Sequence, residues 1–306
     1  MDFSKVTQST DSALITRAYL DQILVEPRYL DSCVPDIRME LYGKTFSSPV
    51  MIAAFSHLSG THPGGMPEMA RGAAAAGCCN WAGMGSREEL TDILSTGAST
   101  VKIIKPYADR KRVFDMIAFA CQSGCLAVGM DIDHSFGGDG LPDNVLGDAM
   151  KPVSQAELKD FIAAADRPFI VKGVLSVPDA EKCAEAGAKG LLISHHHGIM
   201  PCAVPPLMIL KDIRRAVGDD LDLFIDGSIQ SGIDAFKCLA MGAKAVCVGR
   251  AILDRFRASG SEGVCEYLTG MKSELRAMMA RTGSPDLNRI AKDVLWDGAS
   301  GTRIRI

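Results

Sequence analysis

From residue 49 onward the chain alternates short apolar runs with longer amphipathic stretches. The runs 49–54, 78–82, 101–104, 126–131, 169–172, 190–194, 223–226 and 245–249 are almost continuously apolar or small. Strands buried on both faces show this pattern. Helical periodicity fills the intervals, over 66–77, 87–95, 109–123, 154–165, 177–187, 205–217 and 232–241. Several of these stretches stop at glycine (Gly77, Gly187, Gly242), the usual end of a helix. Eight strand–helix units predict an α/β fold, a (β/α)8 TIM barrel. A doubly wound open sheet is the competing arrangement, but no glycine fingerprint follows the first run.

No linker divides the chain, so residues 1–306 read as one domain, with the barrel over 49–255 and a helical region over 256–306. Within the lead, 1–48, residues 1–15 read as a flexible polar segment. A short helix follows over 15–24 and an extended approach over 29–42.

Composition narrows the class. Hydrophobic residues make up 47% of the 306 and charged residues 23%, enough for a sizeable core. The net charge is −4 with no basic run, against a nucleic-acid surface. No apolar stretch is long enough to span a bilayer, and the N-terminus lacks a signal pattern. The ten cysteines fall largely inside apolar runs, without zinc spacing, so they read as reduced core thiols of a cytoplasmic protein.

The candidate chemistry sits at strand ends, where barrels place catalysis. The sixth run ends in Ser194-His195-His196-His197. All six histidines (His57, His62, His134 and the triplet) follow predicted strands, so all are expected on one face. Asp131 closes the fourth run, where a carboxylate can orient a histidine as general base. Lys172 closes the fifth, as a Schiff-base nucleophile or as a fixed charge beside a cofactor. Asp226-Gly227-Ser228 and Gly249-Arg250 follow the seventh and eighth runs, the usual phosphate-binding loops, and the helix from about Gly232 is expected to aim its positive end at the anion.

In their order and spacing, 49–54 with His62-Pro63, 171–174, 190–196, Asp226-Gly227, 236–242 and Gly249-Arg250 resemble the FMN-dependent α-hydroxy-acid oxidase/dehydrogenase family. The resemblance implies FMN at the barrel mouth, with Ala53, Ala54, Lys172, Ser194, Asp226, Gly227, Ser228, Gly249 and Arg250 around it. It implies His196 as general base, partnered by Asp131, with the α-hydrogen passing to flavin N5. It also implies a homo-oligomer, a tetramer by family habit, acting on a small molecule.

The substrate half departs from the family. Ile199 stands where the family has the arginine that clamps the substrate carboxylate. His134 replaces a second arginine, Lys105 a tyrosine, and Gln230 a phosphate-loop arginine. Losing a buried bidentate clamp costs about 2–5 kcal/mol, which argues against simple glycolate or lactate. Lys105, His134, His195 and His197 are the candidate replacements. The reading is therefore an FMN-dependent oxidoreductase that dehydrogenates a hydroxyl-bearing carbon. Three alternatives stand beside it. One is a flavin-dependent isomerase like the type 2 isopentenyl diphosphate isomerase. Another is a flavin-binding protein without turnover, and the third is a metal enzyme built on the histidines.

Overall fold

The computed structural model describes residues 9–305. Eight parallel strands form the barrel: β1 Val50–Ile52, β2 Asn80–Ala82, β3 Thr100–Ile104, β4 Ala127–Asp131, β5 Phe169–Val174, β6 Gly190–Ile193, β7 Asp222–Ile225 and β8 Ala245–Val248. From β2 to β8 each strand pairs with the next, and β8 pairs with β1. The amide of Ile52 donates to the Cys79 carbonyl, and Phe55 bridges Ala82, which closes the ring between β1 and β2.

Alternation along the strands splits the core in two. Met51, Trp81, Val101, Ile103, Ile170, Leu192, Phe224 and Cys247 point inward. Their neighbours Val50, Ile52, Val128, Met130, Val171, Leu191, Ile193, Val246 and Val248 pack outward against the helices. Both sets are buried, which is why the runs hold few polar residues before the mouth, chiefly Asn80, Thr100 and Lys102. An antiparallel pair, Met39–Leu41 with Lys44–Phe46, adds Met39, Leu41 and Phe46 to the inner cluster. Part of the expected extended approach is thus a plug at the strands' N-terminal ends.

The helices follow their predicted spans within a residue or two: α2 Gly65–Ala75, α3 Arg87–Ser95, α4 Arg110–Gln122, α5 Gln155–Ala164, α6 Val177–Ala186, α7 Pro206–Val217 and α8 Gly232–Ala240, after the N-terminal α1 Ser12–Gln22. The last helix, α9 Leu253–Arg281, bends at Ser259 and Gly260. A side chain at Gly72 of α2 would run into Val264 and the Ser261 carbonyl of α9, so the two helices approach backbone to backbone there.

Two parts of the lead and tail differ from expectation. Asp11 caps α1 by accepting the amides of Ala13 and Leu14, so order begins before residue 15. Residues 1–8 of the expected flexible lead lie outside the described ones. The C-terminal region is not helical throughout: Leu295–Asp297 pairs with Ile23–Val25 and with Thr302–Arg303. All ten cysteines are free thiols, eight of them buried or half-buried. Among the described residues no helix is long and apolar enough to cross a membrane.

Candidate active site

Inward-facing positions at the C-terminal ends of β4 and β5 carry Asp131 and Lys172, and these two organise the mouth. Lys172 Nζ lies 3.1 Å from Asp131 Oδ1, and Lys105 Nζ, one residue past β3, lies 2.7 Å from Asp131 Oδ2. All three are buried. Desolvation pushes the Asp131 carboxyl up, but the charges of Lys172 and His196 outweigh it and hold it well below the carboxylate range.

His196 sits on the turn after β6, fixed by its own amide donating to Ser194 Oγ at 3.0 Å. Its Nδ1 faces a crowded floor: Asp133 Oδ1 at 2.7 Å, Lys172 Nζ at 2.6 Å and Asp131 Oδ1 at 3.4 Å. Burial and the Lys172 ammonium pull its pKa down, while Asp131 and Asp133 pull it up, and the balance is raised. A proton on His196 is therefore held more tightly than on an ordinary imidazole.

Asp133 is a site residue that the strand-end rule does not reach. It lies on the 3-10 turn Asp133–Ser135 beyond β4, outside any apolar run. Gly173, at φ +88°, leaves room for its carboxylate; a Cβ there would collide with it. The visible signal is the Asp-x-Asp-His spacing of 131–134. Burial and the neighbouring Asp131 charge push the Asp133 carboxyl up. Its Oδ2 has no hydrogen-bond partner and faces Lys172 Nζ at 3.6 Å. His134 stands over His196 with its Nε2 3.3 Å from that of His196, and its Nδ1 lies 2.9 Å from Asp143 Oδ2. Asp143 comes from the 136–150 segment, which carries a short hairpin of Asn144–Val145 and Asp148–Ala149.

The four residues expected to contact substrate take different roles. Lys105 spends its ammonium on Asp131. His195 is buried, with Nε2 2.9 Å from Thr16 Oγ1 of α1 and Nδ1 accepting the Gly198 amide. Both ring nitrogens are occupied, so His195 is a tie between α1 and the β6 loop rather than a free substrate contact. His197 is exposed beside His196 and Gly249, and His134 faces the base. The expectation that all six histidines share the mouth fails for His62, which packs on Phe256 and Gly260 of α9. It is carried there by the 3-10 turn Leu58–Gly60 after β1.

At the other side of the mouth, Ala53, Gly249, His197 and Asp226 converge. Asp226 accepts the Gly227 amide and the Ser194 hydroxyl. Arg250 is exposed and, among the described residues, pairs with no carboxylate. Small residues, a free guanidinium and a buried lysine fit an anionic, flat cofactor. Two of the expected contacts already have partners within the chain. The Ser228 hydroxyl is spent on the Ala13 carbonyl. The α8 N-terminus is already filled, because Glu274 accepts the Gly232 amide and Ser231 the Asp234 amide. Gly249-Arg250 remains available for the expected grip.

Arg17 of α1 forks onto both Asp234 oxygens at 2.8 Å and donates to the Ser228 carbonyl. It locks α1 over the β7 loop. Asp234→Ala removes one half of this largely buried pair and is expected to destabilise by about 3 kcal/mol. Thermal melts check the loss, and FMN titration is expected to show weaker cofactor retention because the β7 loop loses its anchor.

Comparison with known proteins agrees with this geometry. The family model described as FMN-dependent dehydrogenase matches residues 3–146 and 140–297. The chain is 28% identical to a 4-hydroxymandelate oxidase of Amycolatopsis orientalis, over 92% of this chain and 89% of that protein. It is 30% identical to an L-lactate oxidase of Alicycliphilus denitrificans, over 89% and 84%. Among solved structures it superposes on a mandelate oxidase variant with a monooxide FMN adduct at a TM-score of 0.85, with 29% identity, covering 94% of this chain and 91% of that one. The barrel, the carboxylate-backed histidine and the buried Lys172 thus occur in a chain that belongs to the FMN-dependent dehydrogenase family, an FMN-using oxidoreductase acting on CH–OH groups.

Proposed function

We propose that this enzyme oxidises a 2-hydroxy acid bearing a bulky apolar substituent, with His196 as general base. The observation that carries the reading is the histidine at the barrel mouth whose Nδ1 is held among Asp131, Asp133 and Lys172, so that Nε2, beside His134, is the nitrogen left to take a substrate proton. Bound FMN supplies the hydride acceptor at N5. The residues suited to hold it are Ala53, Ala54, Lys172, Ser194, Asp226, Gly227, Gly249 and Arg250, with Lys172 a fixed positive charge beside the ring. His196 takes the hydroxyl proton. Asp131 and Asp133 orient the imidazole and stabilise the imidazolium that results.

The apolar substituent follows from the rebuilt pocket. Ile199 supplies no charge where an arginine was expected. It lines a cavity of about 840 Å³ that adjoins the catalytic cluster between the loops after β4, β5 and β6 and the helices α5 and α6, together with Phe136, Val153, Leu175, Val204 and Asp133, the wall residue that also touches His196. Glycolate and lactate would leave such walls uncovered, whereas an aryl or long alkyl group fills them. The mandelate oxidase relatives agree in kind.

Steady-state kinetics on glycolate, lactate, mandelate and 2-hydroxyoctanoate test this. The two larger acids are expected to lead in kcat/KM by about tenfold or more, since each buried methylene contributes ~0.8 kcal/mol. Ile199→Arg is expected to narrow that gap by favouring the small acids. Equal or better turnover of glycolate by the wild type would remove the apolar-substituent reading.

A further inference from the structure

His134 and His196 cross at 84° with their Nε2 atoms 3.3 Å apart, a spacing that requires something positive between them. The Nδ1 of His134 lies on the Asp143 carboxylate, which calls for a proton there and leaves its Nε2 a bare acceptor. Whichever neighbour holds the Nδ1 of His196, the contact between the rings then needs either an Nε2 proton on His196 or a shared metal ion.

A metal ion is the weaker choice. Asp131, Asp133, His134 and His196 bring ligand atoms within 4.8 Å of one another. Two ammonium groups already sit in that cluster, Lys172 at 2.6 Å from His196 Nδ1 and Lys105 at 2.7 Å from Asp131. They repel a dication and already neutralise the carboxylates. A proton fits the 3.3 Å gap and the charges.

We propose that His134 and Asp143 form a relay that carries the proton abstracted by His196 out to solvent. The inference rests on His196 being the base. In each turnover neutral His196, its Nε2 bare, takes the substrate hydroxyl proton and becomes the imidazolium whose Nε2–H meets His134 as in the structure. That proton passes to His134 Nε2 while the Nδ1 proton of His134 leaves through Asp143 to water, so one proton enters and one leaves. Asp143 lies partly open to solvent at the rim, which gives the chain an outlet.

The charged groups around each ring set the direction. His196 faces Asp131, Asp133, Lys172, His134 and His197, and its pKa is raised. His134 faces Asp143, Lys105, Asp131 and His196; burial and Lys105 lower its pKa, so it carries the proton only in passing and releases it toward Asp143 rather than keeping it. His134 and Asp143 are accordingly positioning and transfer residues that act through His196.

Two measurements test this. The first needs no substrate: in 15N-histidine-labelled holoenzyme, a through-hydrogen-bond coupling between the Nε2 nuclei of His134 and His196 is expected, and it is expected to weaken in Asp143→Asn. Absence of coupling, or stoichiometric zinc in the purified wild type that is lost in His134→Asn, overturns the relay.

The second is kinetic, with mandelate or whichever acid of the panel bleaches the flavin. Asp143→Asn is expected to lower steady-state kcat by about tenfold more than the first-turnover rate, with added imidazole buffer restoring kcat. A merely structural role lowers both rates together and shows no buffer rescue, which likewise overturns the relay. If no acid bleaches the flavin, the hydroxy-acid reading fails by itself, and the coupling measurement still decides the relay.

Discussion

Replacing His196 with glutamine is expected to slow anaerobic flavin reduction by roughly 10²–10⁴-fold, the usual contribution of a positioned general base. Glutamine keeps a polar side chain of similar reach but cannot take a proton. FMN is expected to remain bound, because none of the residues suited to hold it changes. Stopped-flow absorbance separates the two effects, and a reduction rate within tenfold of wild type would remove His196 as the base.

The pH dependence of the wild type carries the same information. His196 must be neutral to accept a proton, and its pKa lies above the ordinary imidazole value of about 6.5. kcat/KM is therefore expected to rise with pH through an apparent pKa above that value. The stability linkage of His196 runs the opposite way. A raised folded pKa contributes stability that is fully present below about 6.5 and lost as pH rises through the folded value. Asp131, held far below its ordinary range, contributes stability present above about 3.9 and lost as pH falls.

Lys172→Met is expected to destabilise the protein by about 3–5 kcal/mol, the cost of stripping one partner from a buried ion cluster. Lys172 is 3% exposed, and methionine matches its stem, so the packing loss is small. What remains is Asp131 beside Asp133, with only Lys105 and His196 to offset them. The melting temperature is expected to fall by on the order of 10 °C at neutral pH. The deficit is expected to shrink on acidification, as Asp133, whose pKa is already raised, takes up a proton. Differential scanning calorimetry at two pH values checks both statements. An unchanged melt would mean that Lys172 does not supply the cluster's charge.

The barrel was legible because a strand buried on both faces admits few polar residues, so each polar strand-end residue stood out. Asp131, Lys172 and the histidine triplet stand out that way, the family resemblance singles out His196 within the triplet, and the structure brings the three together. Asp133 was missed because it follows the strand on a 3-10 turn, where no periodicity marks it. Asp143 was missed because a hairpin in a Gly- and Asp-rich loop returns it to the mouth. The filled α8 N-terminus was invisible for a related reason: its partner, Glu274, comes from α9, which packs alongside. Likewise the role of His195 depends on α1 crossing the β6 loop, a contact between Thr16 and the triplet that sequence distance conceals. Strand ends follow from local pattern, whereas contacts between separate loops depend on how the loops close.

The central claim, that this family member oxidises a hydroxy acid through His196, meets its most direct test in one anaerobic titration. The purified holoenzyme is mixed with mandelate and 2-hydroxyoctanoate, and the oxidised-flavin band is followed. Bleaching by one of them in the wild type, and its near-loss in His196→Gln, is the expected result. A flavin band that no hydroxy acid bleaches, or one that bleaches equally fast without His196, would contradict it.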